Sequence, residues 1–116
     1  MAQPILVTEG DVVTYTITVK RAGSAVNLTP YASVVFYAHD DDSAVATNQV
    51  NGVSCTVTDA ANGVCTIDLT ATHTALASGK TSFKGKWAVR LTTTVGSKPE
   101  WTAQEPFEIR KNPFAT

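Results

Sequence analysis

The chain predicts an all-β fold, an antiparallel β-sandwich of about seven strands, and three observations carry that expectation. Apolar and polar residues alternate with period 2 from one end to the other, the mark of strands with one buried face. Turn residues recur between these stretches at regular spacing, as in sandwiches rather than in α+β folds. Hardly any stretch suits a helix, and internal repeats and long linkers are absent. With 116 residues, one domain spanning 1–116 can bury a core without staples.

Residues 1–9 read as an N-terminal arm. In D-V-V-T-Y-T-I-T-V-K, Val13, Tyr15, Ile17 and Val19 alternate with Thr14, Thr16, Thr18 and Lys20, which predicts a strand with the first set inward. R-A-G-S-A-V supplies a turn. Y-A-S-V-V-F-Y-A-H is apolar on both parities: Ala32, Val34, Phe36 and Ala38 make the cleaner core row, which leaves Tyr31, Val35, Tyr37 and His39 outward. D-D-D-S breaks that strand, a short segment Ala44 to Thr47 follows, and Asn51-Gly52 reads as a turn into a hairpin from Val53 to Leu69. T-A-T-H-T-A-L-A-S-G has the makings of one helical turn closed by Gly79. The clearest strand sets Phe83, Trp87, Val89 and Leu91 against Lys84, Lys86, Ala88, Arg90 and Thr92, and turns at V-G-S-K-P-E. The closing strand, W-T-A-Q-E-P-F-E-I-R, puts Trp101, Ala103, Glu105, Phe107 and Ile109 on one parity, so Glu105 is expected at a sheet margin, where Pro106 is also tolerated. Residues 111–116 form a short C-terminal tail.

The formal net charge of -1, with no basic cluster larger than Lys20-Arg21 or Arg110-Lys111, gives no electrostatic footprint for nucleic acid. No apolar stretch is long enough to span a bilayer, and the start M-A-Q-P-I-L-V-T-E-G lacks a basic leader with an apolar run, so a soluble protein made in the cytoplasm is expected. The two cysteines sit on either side of the turn in S-C-T-V-T-D-A-A-N-G-V-C-T. With Gly63 left-handed, Val57 faces Cys65 and Cys55 falls closer to Ile67, a diagonal about 7 Å wide that exceeds the reach of a disulfide, about 4.5 Å between Cβ atoms. They therefore read as reduced, buried, small hydrophobes; a change of register would align them for a disulfide. A metal site lacks further ligands, because His39 and His73 have no Cys-x-x-Cys companion.

The runs G-D-V-V-T-Y-T-I-T-V-K-R-A-G-S-A-V-N-L-T (Gly10 to Thr29) and V-T-D-A-A-N-G-V-C-T-I-D-L-T-A-T (Val57 to Thr72) resemble the N-terminal-type domain of the baseplate upper proteins of tailed phages. The resemblance extends over most of the chain. It departs where that family often has Pro, at Ala60, and where K-T-S intervenes between a Gly and Phe83; baseplate upper proteins also carry further domains. It implies an immunoglobulin-like sandwich in a virion component, more strongly than it implies a baseplate location.

No motif carries catalysis. Asp40, Asp41 and Asp42 form the one dense acidic cluster, without the spacing of a Ca²⁺ loop, and read as a solvated turn. His73 has no Ser/His/Asp arrangement around it, and no Gly-rich phosphate loop occurs. No metal or other cofactor is expected. Two surface features remain: the aromatic row Tyr31, Val35 and Tyr37, with the composition of a protein interface, and the basic stripe Lys84, Lys86 and Arg90. Together with the resemblance, which implies the virion context, these surfaces lead to the expectation of a non-enzymatic virion protein, a structural or capsid-decoration module that docks in multiple copies onto a capsid, tail or baseplate protein, with a homo-oligomer as a further arrangement. The alternative is a bacterial cell-surface or carbohydrate-binding immunoglobulin-like module, in which Tyr31, Tyr37 or the tryptophans serve as stacking platforms.

Overall fold

The computed structural model describes residues 4–40, 48–76, 81–93, 99–102 and 104–112. Among them the chain forms eleven strands: β1 (Ile5–Thr8), β2 (Val13–Thr18), β3 (Lys20–Arg21), β4 (Ser24–Ala25), β5 (Tyr31–Asp40), β6 (Asn48–Ser54), β7 (Thr56–Asp59), β8 (Val64–Leu69), β9 (Ser82–Thr93), β10 (Pro99–Trp101) and β11 (Glu105–Arg110). One 3-10 turn, Ala60–Asn62, joins β7 to β8. A six-stranded sheet runs in the order β1-β11-β9-β5-β6, with β10 also paired to β9, and a three-stranded sheet runs β2-β8-β7. The short β3-β4 hairpin stands apart. The fold is an all-β sandwich, as the alternation predicts. No helix among the described residues is long and apolar enough to cross a membrane.

The core lies between the two sheets. Val34, Phe36, Ala38, Trp87, Val89, Leu91, Phe107 and Ile109 enter it from the larger sheet, and Ile17, Cys65, Ile67 and Leu69 from the smaller. Phe36 stacks on Trp87 with centroids 5.5 Å apart and meets Phe107 edge-on at 6.2 Å. Such offset pairs add to what burial alone contributes.

Five sequence expectations change. The stretch read as an N-terminal arm contains β1, which pairs in parallel with β11 and buries Ile5 and Val7, so the sheet is not wholly antiparallel. Ala32 is exposed and Tyr31 packs against the core, because a register shift between Tyr31 and Ser33 along β9 reverses the parity at the start of β5. Asn51-Gly52 is a bulge inside β6, not a turn: Phe36 pairs with Val53 but Tyr37 with Asn51, and Gly52 takes φ 93°. A side chain at Gly52 would stand 3.4 Å from the Tyr37 hydroxyl. Trp101 is exposed and Thr102 buried, since the chain breaks phase between β10 and β11. Thr102 donates its N–H to the Val89 carbonyl at 3.0 Å and accepts the Val89 N–H on its hydroxyl at 2.9 Å.

The fifth concerns Cys55. The hairpin itself forms as expected: Gly63 is left-handed at φ 72°, Asp59 caps the 3-10 turn, and Val57 faces Cys65. Yet Cys55 lies outside β7, at the crossing from one sheet to the other, and gives its N–H to the Val34 carbonyl at 2.8 Å. Both cysteines are free, Cys65 fully buried and Cys55 half-buried. They stand as the reduced pair the sequence predicts, with their thiols interacting and no disulfide between them. The hydrogen bond with Cys65, followed by burial, pushes the Cys55 thiol well above its ordinary value.

The acidic cluster and two turns fall partly or wholly outside the described residues. Asp40 ends β5, while Asp41, Asp42, the segment 44–47, Gly79 and the turn at 95–98 lie outside them.

Candidate functional site

Strand register gathers the predicted surface residues on one face. Along β5 and β9, Val35 stands opposite Arg90, Tyr37 opposite Ala88 and His39 opposite Lys86. β10 sets Trp101 beside Arg90, and β11 sets Pro106 beside Lys86 and Glu108 beside Lys84. Val35, Tyr37, Lys84, Lys86 and Arg90 therefore share the outer face of the six-stranded sheet, so the aromatic row and the basic stripe are one surface. Tyr31 belongs elsewhere: its hydroxyl donates to the Glu100 carboxylate at 2.7 Å, beside the Arg21–Glu100 ion pair at 3.4 Å. That hydrogen bond is the main reason the Tyr31 phenol is held above its ordinary value.

At the centre of the face Ala88 is small where its neighbours are large, which leaves a depression. Tyr37, Trp101, Arg90, Asn51 and Gln104 surround this hollow of about 500 Å³. The Tyr37 and Trp101 rings touch with centroids 5.2 Å apart, and the Arg90 guanidinium lies over the Tyr37 ring, 5.3 Å from its centroid. Such a cation over an aromatic face is held electrostatically by the ring quadrupole. Trp101 is 52% exposed, unusual for so large an apolar side chain. The sequence pattern did not single it out for this face; only the phase break at Thr102 turns it outward.

A second hollow of about 290 Å³ lies toward the β1 edge, between Leu6, Pro106, Lys84, Lys86 and Arg110. There Arg110 pairs with Glu108 at 2.6 Å, which leaves the two lysines as the excess charge. Among the described residues this face thus carries Lys84, Lys86, Arg90 and Arg110 against Glu108. The opposite face of the sandwich differs in kind. Thr14, Thr16 and Thr66 lie on it with Asp68, whose carboxylate accepts from Thr14 at 2.6 Å.

The chemistry candidates occupy structural positions. His73 Nδ1 accepts the Thr70 N–H at 3.0 Å and so closes its own turn, beneath which the buried Thr74 hydroxyl donates to the Asp11 carbonyl at 2.9 Å. Among the described residues no three His, Cys, Asp or Glu side chains gather where they could hold a metal ion.

The sequence matches no protein-family model and no curated protein. Among solved structures the fold is similar to the N-terminal domain of ORF48 of phage TP901-1, with a TM-score of 0.56 and 11% sequence identity. The match covers 95% of this chain and 85% of that one.

Proposed function

We propose that this protein is a non-enzymatic structural module of a tailed-phage particle, which docks onto a capsid, tail or baseplate protein through the outer face of its six-stranded sheet. The observation that carries the reading is the fold it shares, over nearly its whole length, with a domain of a phage protein. The exposed face supports it: Tyr, Trp and Arg are the residue types that dominate binding energy at interfaces, and here they are clustered, half-exposed and surrounded by charge. Burial of such a patch contributes about 25 cal/mol per Å² before association costs are subtracted. A single contact is then weak, and repetition on a symmetric particle supplies avidity.

The test is incorporation into particles. Tyr37→Asp should abolish recovery of the protein with purified virions while leaving the isolated domain folded. Thr16→Asp, on the opposite face, should be incorporated normally. Incorporation of the Tyr37 variant at the native level would place the docking surface elsewhere.

A second reading, a carbohydrate-binding module, is favoured by the exposed Trp101 against Tyr37 with Asn51 and Gln104 at the rim of the same hollow. Saturable binding of neutral oligosaccharides, lost in Trp101→Ala, would establish it.

A further inference from the structure

Arg90 is the feature of this face that its own fold does not explain. Its Nε is shut off from solvent without a hydrogen-bond partner, and among the described residues no other buried side-chain nitrogen or oxygen is in that state. Buried donors are nearly always paired, and an exception asks for a cause. Among the described residues no carboxylate forms an ion pair with Arg90: the ion pairs there are Arg21 with Glu100 and Arg110 with Glu108. Instead the guanidinium lies over Tyr37, with Trp101 at the neighbouring register position and in contact with the Tyr37 ring. Stacking of this kind fixes the plane of the fork and leaves its hydrogen-bonding edge to be satisfied from outside.

We infer that the hollow around Arg90 receives a carboxylate from an acidic segment of the protein on which this module docks, with an apolar neighbour of that carboxylate laid against Trp101. The inference rests on the docking reading and names the chemistry of its partner. The charge of the face selects that partner, since Lys84 and Lys86 continue the same face of β9 beyond the site, and Glu108, the acid opposite Lys84, is already paired. A guanidinium fork matches a carboxylate in two parallel bonds, whereas an amide side chain offers a single acceptor. The shielding of Nε gives Trp101 a part as well. It is the most exposed of the three side chains, so its displacement is the simplest way for both edges of the fork to open as the carboxylate enters.

The probe is a pair of capped peptides, acetyl-Gly-Asp-Glu-Leu-Gly-amide and its counterpart with Asn and Gln in place of the acids. Two signals report on the site directly: the Arg90 Nε–H resonance, and tryptophan emission, in which only Trp101 is accessible because Trp87 is 2% exposed. The acidic peptide should shift both, bind at least about tenfold more tightly than the amide peptide, and weaken as salt is raised. Arg90→Lys keeps the charge but loses the fork, and should lose most of the difference. Trp101→Ala should weaken the acidic peptide without removing its preference over the amide. Equal affinity for the two peptides, full retention in Arg90→Lys, or no shift at all would overturn the inference. So would tighter binding of a DNA oligonucleotide, or a concentration-dependent dimer lost in Trp101→Ala, which would mean that a second copy covers the face. Particle incorporation separates the two levels: normal incorporation of Arg90→Gln alongside loss of Tyr37→Asp would keep the docking face and remove the carboxylate.

Discussion

Two glycines and two cysteines show how much a single position decides. Gly63 sits at φ 72°, and an added Cβ would lie 2.6 Å from the Val26 carbonyl oxygen and 2.9 Å from that of Val19. Gly63→Ala should therefore cost about 2 to 3 kcal/mol in urea unfolding, from backbone strain and the crowding of two carbonyls. This position was legible in the sequence because its signal is local: Asn-Gly after a capping Asp specifies a turn wherever the rest of the chain goes. Gly52 is ambiguous in the sequence for a related reason. A left-handed glycine serves a turn and a bulge equally, and only pairing with β5 decides between them. The thiols titrate as a pair: the hydrogen bond they share holds the Cys55 thiol above its ordinary value and the Cys65 thiol below it. Cys55→Ala should therefore raise the Cys65 thiol toward the ordinary range, read as slower alkylation of Cys65 at a given pH under partly denaturing conditions. Both thiols should resist alkylation in the native protein and react once it unfolds; one that never reacts without a reductant would reveal a disulfide.

At the scale of elements, β9 organises the larger sheet, pairing with β5 on one side and with β10 and β11 in succession on the other. Its alternation of Trp87, Val89 and Leu91 with Lys86, Ala88 and Arg90 was plain in the sequence, and so was the face that carries the candidate site. The role of Trp101 was not, because parity counted along a chain fails wherever two collinear strands are joined out of phase. Thr102 makes that join tolerable by supplying Val89 with both partners it would otherwise lack. Thr102→Val should cost about 1 to 3 kcal/mol, since it leaves the Val89 N–H buried and unpaired while keeping the shape. Hydrogen exchange at Val89 should rise with it. Exchange that stays slow would show that another acceptor takes over. The Tyr31 parity failed in the same way, through a register shift that no local pattern announces.

Across the whole molecule the sandwich presents two unlike faces, one basic and aromatic, the other rich in threonine. The alternation that predicted the fold also predicted that each sheet has an outside, but the merging of two separate stripes into one surface depends on β5 lying beside β9, a long-range pairing. The N-terminal strand was hidden for a further reason: I-L-V-T is too short to show periodicity, and it becomes a strand only because β11 offers it an edge. That pairing is parallel, with Ile5 beside Phe107 and Thr8 beside Arg110. The chain consequently enters at one end of these two strands and leaves at the other. Tension applied between residues 4 and 112 pulls β1 and β11 past each other lengthwise, loading their shared hydrogen bonds together rather than peeling them apart one by one. A module built this way withstands traction along its own axis, and Val7→Pro, which removes a ladder donor from β1, should lower its rupture force in single-molecule pulling.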